Sequence, residues 1–497
     1  MCPCAGMPAA HDWLQPASLE ALRSHTLPVL SALDACRLGC TCRTLRTLVF
    51  FDSAADWKAK AQATLHQSHP ALNSGTLPPL LAALEAHDRR QHNLEAGLYS
   101  VAELEGARAV ESVQEVLLSP CGRYLAEIHD SGVVVRGCYL DFAGCTSVLH
   151  STPLNGKHGM QCCWSEAGDC LRGLSSSFGG DLGHLYEWDL SSKAPFVRDT
   201  WCHPVARLSC YGTCISYLAY TESRFHVDRL LPERQTQFVL HVSLSPTQLW
   251  HRPTSELWHS TKDGWLAMLD QADGLSHALR IWDLAASTAS TTLQLAAEAW
   301  GGARMRLSAW NADGRFLALV GETDFEGSVC VVHADNGQVL SLLRGAPQHN
   351  RHLSIEVQFS NRGWLAISQF DETVDCVEVW SVPQGDCIFR MSSPCSPGPL
   401  FESMCWSHCG RLLAVAESFR RAKKHDWTIA IYGRDSQGPL LQAAVRDGHG
   451  EIDEMHIVAW SLTDTTILFR TVTWALPESG RSRPRWSQLQ VLKLAEP

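Results

Sequence analysis

The feature that most constrains this chain is a unit that recurs eight times after about residue 110. Each copy opens with an alternating apolar run that ends in an aromatic residue or Ser. A turn follows within a few residues, then a second apolar run, often Leu-Ala, and a further strand-like run after a variable loop. VQEVLLSPCGRYLAEI, RLSAWNADGRFLALV and ESMCWSHCGRLLAVA show the pattern. The turns fall at Gly122, Gly168, Gly212, Gly264, Gly314, Gly363, Gly410 and Asp464, so successive copies lie 46, 44, 52, 50, 49, 47 and 54 residues apart. A repeat of this length is one supersecondary unit that needs neighbours to bury it. Its period-2 alternation predicts a small antiparallel sheet with two faces to cover. A ring of such sheets covers both and leaves only short, protected edges.

The residues at fixed places in the unit resemble those of WD-repeat proteins. Trp188-Asp189 and Trp282-Asp283 close predicted third strands, and Ser-x-x-Gly turns precede Leu-Ala runs. Trp380-Ser381 and Tyr432-Gly433 stand at the same place in degenerate form. The resemblance covers about residues 110–495 and implies a mainly β, WD-repeat-type β-propeller. The chain departs from the family in lacking Gly-His pairs at the blade starts. Eight blades are counted. Seven blades with an insertion around Glu233-Arg234-Gln235-Thr236-Gln237 is the other reading. An N-terminal strand is expected to complete the last blade, because an open edge invites aggregation. Trp164, Trp310, Phe359, Trp406 and Trp460 recur at one strand position, which predicts packing between blades rather than a binding surface.

Composition agrees with a packed chain: 45% of the 497 residues are hydrophobic and 19% charged. The net charge of −11 argues against a nucleic-acid partner, which calls for a basic face. No stretch approaches the ~20 apolar residues of a membrane helix. Twenty cysteines without a leader-like start predict reduced thiols in the cytosol or nucleus. Cys162, Cys330, Cys376, Cys387 and Cys405 lie in apolar strand patterns and are expected as small buried hydrophobes.

The first hundred residues differ in texture. We divide the chain into a disordered start (1–16), a helical module (17–65), a helical linker (66–108) and the propeller (109–497). In the module Leu19, Leu22, Thr26, Leu30 and Leu33 recur at helical spacing, as do Leu38, Cys42 and Leu45. Ser18 and Asp34 are suited to cap the two helices, and Pro28 interrupts the first. Cys42-Arg43 and, 15 residues on, Trp57-Lys58 give this stretch a resemblance to an F-box. Its departure is at the start, where Leu27-Pro28 lies too close to Cys42. The resemblance implies that Leu27, Pro28, Leu30, Leu33, Leu38, Cys42, Leu45 and Trp57 bind a Skp-type adaptor of a cullin-based ubiquitin ligase, with the propeller holding a target protein. Leucines at helical spacing are equally the mark of internal packing, and the alternative is a WD-repeat scaffold with no ubiquitin link.

No catalytic set emerges, and neither a cofactor nor a metal site is expected. Cys40-x-Cys42 and Cys162-Cys163 lack a second ligand pair at zinc-binding distance, and there is no HExxH or G-x-S-x-G. Asp324 and Glu326 fall on a predicted hairpin tip. Arg420, Arg421, Lys423 and Lys424, between strands of blade 7, and Arg481, Arg483 and Arg485 form basic loops that suit an acidic segment of a partner.

Overall fold

The computed structural model describes residues 58, 84, 99–104, 113–129, 132–138, 142, 147–153, 160–165, 167–176, 183–190, 196–201, 205–211, 214–219, 224–230, 236–243, 257–259, 265–272, 276–283, 288–295, 304–322, 327–344, 354–370, 375–382, 384–393, 399–421, 424–433, 438–445, 452–475 and 483–494. The chain divides into two compact units, one of residues 1–100 with 494–497 and one of 101–493. In the first, the described Lys58 and Leu84 both have helical backbone, and Leu84 is wholly buried.

The larger unit is built from eight four-stranded antiparallel sheets. Seven run in simple chain order, over 113–153, 160–201, 205–243, 257–295, 304–344, 354–393 and 399–445; we number them blades 1 to 7. Blade 8 is composite. Glu454–Trp460, Thr466–Ala475 and Arg483–Leu494 supply three strands, and Tyr99–Glu103 pairs on the outside as the fourth. Leu104 N–H donates to Leu489 C=O at 3.1 Å just beyond that strand. The sheet region therefore reaches back to Tyr99, into the stretch expected to be a helical linker. The edge of Arg483–Leu494 needs a partner, and the strand that precedes blade 1 supplies it.

The count of eight holds, and the described part of the stretch considered as an insertion is strand. Thr236 and Gln237 begin the strand Thr236–Ser243, the fourth of blade 3, and blade 4 follows complete. The first strand of each blade contacts the first strand of the next from blade 2 round to blade 8, and that of blade 8 contacts the first strand of blade 1. Blades 1 and 2 are joined by their shared core, so the sheets close a ring.

Strand alternation decides which side chain meets which neighbour. In blade 5, Leu317 and Leu319 pack with Ala267, Leu279 and Ile281 of blade 4. The alternate residues Ala318 and Val320 pack with Ile355, Leu365 and Ile367 of blade 6. In blade 1, Ala126 and Ile128 face Met160, Trp164 and Trp188 of blade 2, while Leu125 faces Leu468 and Leu489 of blade 8. Each wholly buried aliphatic side chain contributes roughly 1.5–3 kcal/mol, so the cores lie between sheets and each blade depends on two others.

The cysteines divide by strand position. Cys330 and Cys376, on third strands, are buried free thiols, and burial pushes them up to about 12 and about 11. Cys387, expected inside, is exposed, because Asp386–Ser393 is the outermost strand of blade 6. Cys138 departs from the expected reduced state: it is disulfide-bonded.

Candidate functional site

The repeated turn is the most regular chemical feature of the molecule. In blades 1, 2, 5, 6, 7 and 8 it starts at Ser119, Ser165, Asn311, Ser360, Ser407 and Ser461. The carbonyl of this residue accepts from the N–H three residues on, at Gly122, Gly168, Gly314, Gly363, Gly410 and Asp464, over 2.8–3.1 Å. Its side-chain oxygen accepts the main-chain N–H that restarts the strand, for example Tyr124 N to Ser119 Oγ at 3.0 Å and Leu412 N to Ser407 Oγ at 3.1 Å. Blade 6 shortens the loop by one residue, so Trp364 is the donor to Ser360. The fourth turn position has φ between +55° and +77°, the left-handed region that favours glycine. In this arrangement the serine oxygens are acceptors that fix backbone.

Several of these turns also bind each other. Asn361 Nδ2 and Arg362 Nε, in the blade 6 turn, donate to the carbonyls of His408 and Cys409 in blade 7 at 2.9 and 2.8 Å. The N–H groups of His408 and Cys409 in turn donate to the carboxylate of Asp464 in blade 8, at 2.6 and 2.9 Å. A Cβ on Gly122 of blade 1 would meet Leu462 of blade 8 at 2.7 Å, and Cys121 Sγ lies 3.5 Å from the Gly168 carbonyl of blade 2. Asp464 is therefore both the one non-glycine at this turn position among the described turns and a clamp on blade 7. Sequence located it at the turn; its second role depends on how the two turns approach.

Three of the four recurring tryptophans serve the same purpose one layer in, while Trp310 Nε1 has no hydrogen-bond partner among the described residues. Trp164 Nε1 donates to Leu117 C=O of blade 1 at 3.2 Å, Trp406 Nε1 to Gln358 C=O of blade 6 at 3.1 Å, and Trp460 Nε1 to Cys405 C=O of blade 7 at 3.0 Å. Each ring packs between blades while its polar edge ties to the first strand of the preceding one.

Trp188-Asp189 ends the strand Gly183–Asp189 and Trp282-Asp283 ends Ser276–Asp283, each the third of its blade. Trp188 is wholly buried and stacks on Tyr186 with centroids 5.7 Å apart. The basic cluster of blade 7 is strand rather than loop at three of its positions. Arg420 and Arg421 end Leu412–Arg421 and Lys424 begins Lys424–Gly433, with Arg421 paired to Lys424. Arg483 and Arg485 likewise lie in the strand Arg483–Leu494, because hairpins with well-paired flanks extend until the turn itself. Lys423, Arg481, Asp324, Glu326 and the turn glycines Gly212 and Gly264 lie outside the described residues. So do Leu27, Pro28, Leu30, Leu33, Leu38, Cys42, Leu45 and Trp57.

Two buried carboxylates went unnoticed in sequence. Glu127, at 2% exposure, accepts from Arg136 Nε at 2.8 Å, with His129 Nε2 3.6 Å away. Burial alone would push its carboxyl up, but the hydrogen bonds and charges of His129 and Arg136 hold it below the usual value. Glu417, at 1% exposure, accepts from Tyr432 Oη at 2.6 Å and Thr428 Oγ1 at 3.4 Å. Among the described residues no cation joins those bonds, and burial holds its carboxyl above the usual value. The alternation rule places both inside but does not say which carries a counter-charge.

Among the described residues no cluster of three or more His, Cys, Asp or Glu is placed to hold a metal ion, and no helix is long and apolar enough to cross a membrane. No family model matches the chain, and no curated protein does. Solved propellers do. The Dos1 propeller is 9% identical, covers 80% of this chain and 95% of its own, and superposes with a TM-score of 0.50. The WD40 domain of SCAP from fission yeast is 8% identical and covers 80% of this chain and 98% of its own, again with a TM-score of 0.50. At that identity the likeness concerns the fold alone. With eight four-stranded sheets in a ring and two third strands ending in Trp-Asp, this chain has a WD40-type β-propeller fold.

Proposed function

We propose that this protein is a non-catalytic interaction subunit whose propeller holds a target protein and whose 17–65 segment docks a Skp-type adaptor of a cullin-based ubiquitin ligase. One observation carries the propeller half. The repeated polar groups, from the turn serines to Asp464, are spent on fixing turns and joining blades. The repeats thus supply a stiff frame, and recognition falls to side chains that do not repeat, as suits a protein that presents loops on a rigid scaffold. Arg420, Arg421, Lys423 and Lys424 are a suitable contact for an acidic stretch of the target.

The adaptor half is supported by the Cys42-Arg43 and Trp57-Lys58 spacing and by leucines able to enter a partner's groove. The second reading, a scaffold without a ubiquitin link, is favoured by one observation: residues 1–100 belong to a compact unit in which Leu84 is wholly buried. Pull-down of a purified Skp-type adaptor by the full chain separates the two. The adaptor reading expects binding that Leu38→Glu and Leu45→Glu abolish while the propeller's unfolding midpoint stays put. Absence of binding by the unaltered chain sinks it. Loss of the fold in both variants assigns the leucines to internal packing.

A further inference from the structure

The second strand of each blade runs away from the repeated turn. In the blades whose turn is described it starts one or two residues after the turn position, so its length measures how far the sheet reaches toward the opposite face. In blades 1 to 6 this strand has six to eight residues. In blades 7 and 8, Leu412–Arg421 and Thr466–Ala475 have ten. At about 3.4 Å per residue, the two to four extra residues carry these two hairpins roughly 7–14 Å further.

The extra length leaves the four-stranded body. In blade 7 the pairing with the first strand ends at Phe419 and that with the fourth begins at Trp427. Among the described residues, Arg420 and Arg421 therefore pair only with His425 and Lys424. In blade 8 the first strand pairs as far as Val472, and beyond it Thr473, Trp474 and Ala475 pair with Trp486, Pro484 and Arg483. The first strands of blades 7 and 8 are neighbours, so the two ribbons project from adjacent blades on the face opposite the turns.

These ribbons hold two basic clusters that lie apart in sequence. Residues 419–426 and 473–486 contain four and three Lys or Arg, against Asp426 and Glu478, a net +5 with His neutral. The whole chain carries −11, so the other residues carry −16. A nucleic acid or an anionic bilayer extends past the ribbons and meets that negative remainder. A short acidic peptide segment does not. The cations are spread over two blades rather than gathered in one pocket, which matches a run of carboxylates better than a single phosphate group.

We propose that the projecting hairpins of blades 7 and 8 form one two-pronged docking surface for an Asp- and Glu-rich segment of a partner protein. This surface extends the contact assigned above to Arg420, Arg421, Lys423 and Lys424, and rests on the reading of the propeller as the part that holds a target. Its new element is blade 8, whose Arg483 and Arg485 join the blade 7 cations in holding one segment.

Fluorescence anisotropy of a labelled peptide of alternating Glu and Gly, titrated with the full chain, tests the surface. The expected result is saturable binding that weakens with salt. Binding should fall about five- to tenfold in Arg420→Gln with Lys424→Gln, and by a similar factor in Arg483→Gln with Arg485→Gln. It should vanish when all four are changed, with unfolding midpoints at the wild-type value. Arg483→Lys with Arg485→Lys keeps the charge and should bind like the wild type. If the blade 8 Gln pair fails to fold, Arg485→Gln alone decides. Binding that responds to the blade 7 pair and not to the blade 8 changes overturns the two-pronged surface and leaves the blade 7 contact standing. Absence of peptide binding by the wild type overturns both. Tighter binding of oligothymidylate or of phosphatidylserine vesicles than of the peptide overturns the choice of partner.

Discussion

Asp464 offers the sharpest test of how the ring is held. Its carboxylate is 3% exposed and accepts the N–H groups of His408 and Cys409 across the blade boundary, at 2.6 and 2.9 Å. Its backbone sits at φ 55°, where the other described turns have glycine. Two effects then separate by substitution. Removing the carboxylate leaves two amides without an acceptor, at roughly 1–3 kcal/mol each. Holding a β-carbon in the left-handed region costs about 1–2 kcal/mol for an ordinary residue, less for Asp or Asn. Asp464→Ala loses the clamp and keeps the strain, for a destabilisation of roughly 2–5 kcal/mol. Asp464→Gly loses the clamp but relaxes the backbone, so it should be milder by about 1 kcal/mol. Asp464→Asn keeps one side-chain oxygen and should cost least, roughly 1–2 kcal/mol. Urea unfolding followed by tryptophan fluorescence reports the series, since Trp406 and Trp460 lie in the two blades concerned. The expected order of stability is wild type, Asn, Gly, Ala. If Ala falls within about 0.5 kcal/mol of wild type, the range of an ordinary surface change, the clamp carries no weight. If Gly is the least stable, the strain argument is wrong.

Two further predictions rest on buried carboxylates of opposite sign. Glu127 is held below the usual 4.5, so its ionised form stabilises the fold above that value, and the benefit is lost as pH falls through its folded pKa. Glu127→Ala, which strands the buried Arg136, should cost about 3–5 kcal/mol at neutral pH, and its gap to wild type should narrow in acid unfolding titrations. Glu417 is held above 4.5 by burial, so its contribution is present below 4.5 and lost as pH rises through the folded pKa. Glu417→Gln should therefore gain on wild type as the midpoint is measured at rising pH; a gap that moves the other way refutes the assignment. Gly173→Ala tests packing: a Cβ there would meet the ring of Trp188 at 2.7 Å, so the variant should lose about 1–3 kcal/mol and shift tryptophan emission.

The blades were legible in sequence because their signal is local. Alternating runs, a left-handed turn residue and a serine or asparagine that fastens its own turn lie within one short segment, and the backbone answers to them directly. The tryptophan position was readable for the same reason: Trp164, Trp406 and Trp460 recur at one offset from the turn. Boundaries were less so. Tyr99–Glu103 joins a strand nearly four hundred residues away, and nothing near it in the chain announces that partner. Arg421 and Lys424 looked like loop because charge usually marks a turn, whereas strand pairing in blade 7 runs on beneath them.

Sequence alone, then, determined the repeated unit, its two-faced sheets and the need for a ring, since these follow from the period of the side chains. Tertiary structure decided everything that depends on two distant segments meeting. It settled the closure of blade 8 by Tyr99–Glu103 and the joining of its turn to blade 7 through Asp464. It gave Glu127 a cation and set Glu417 against the hydroxyls of Tyr432 and Thr428. A residue's face is fixed by its own strand, but its partner is fixed only when the next blade arrives.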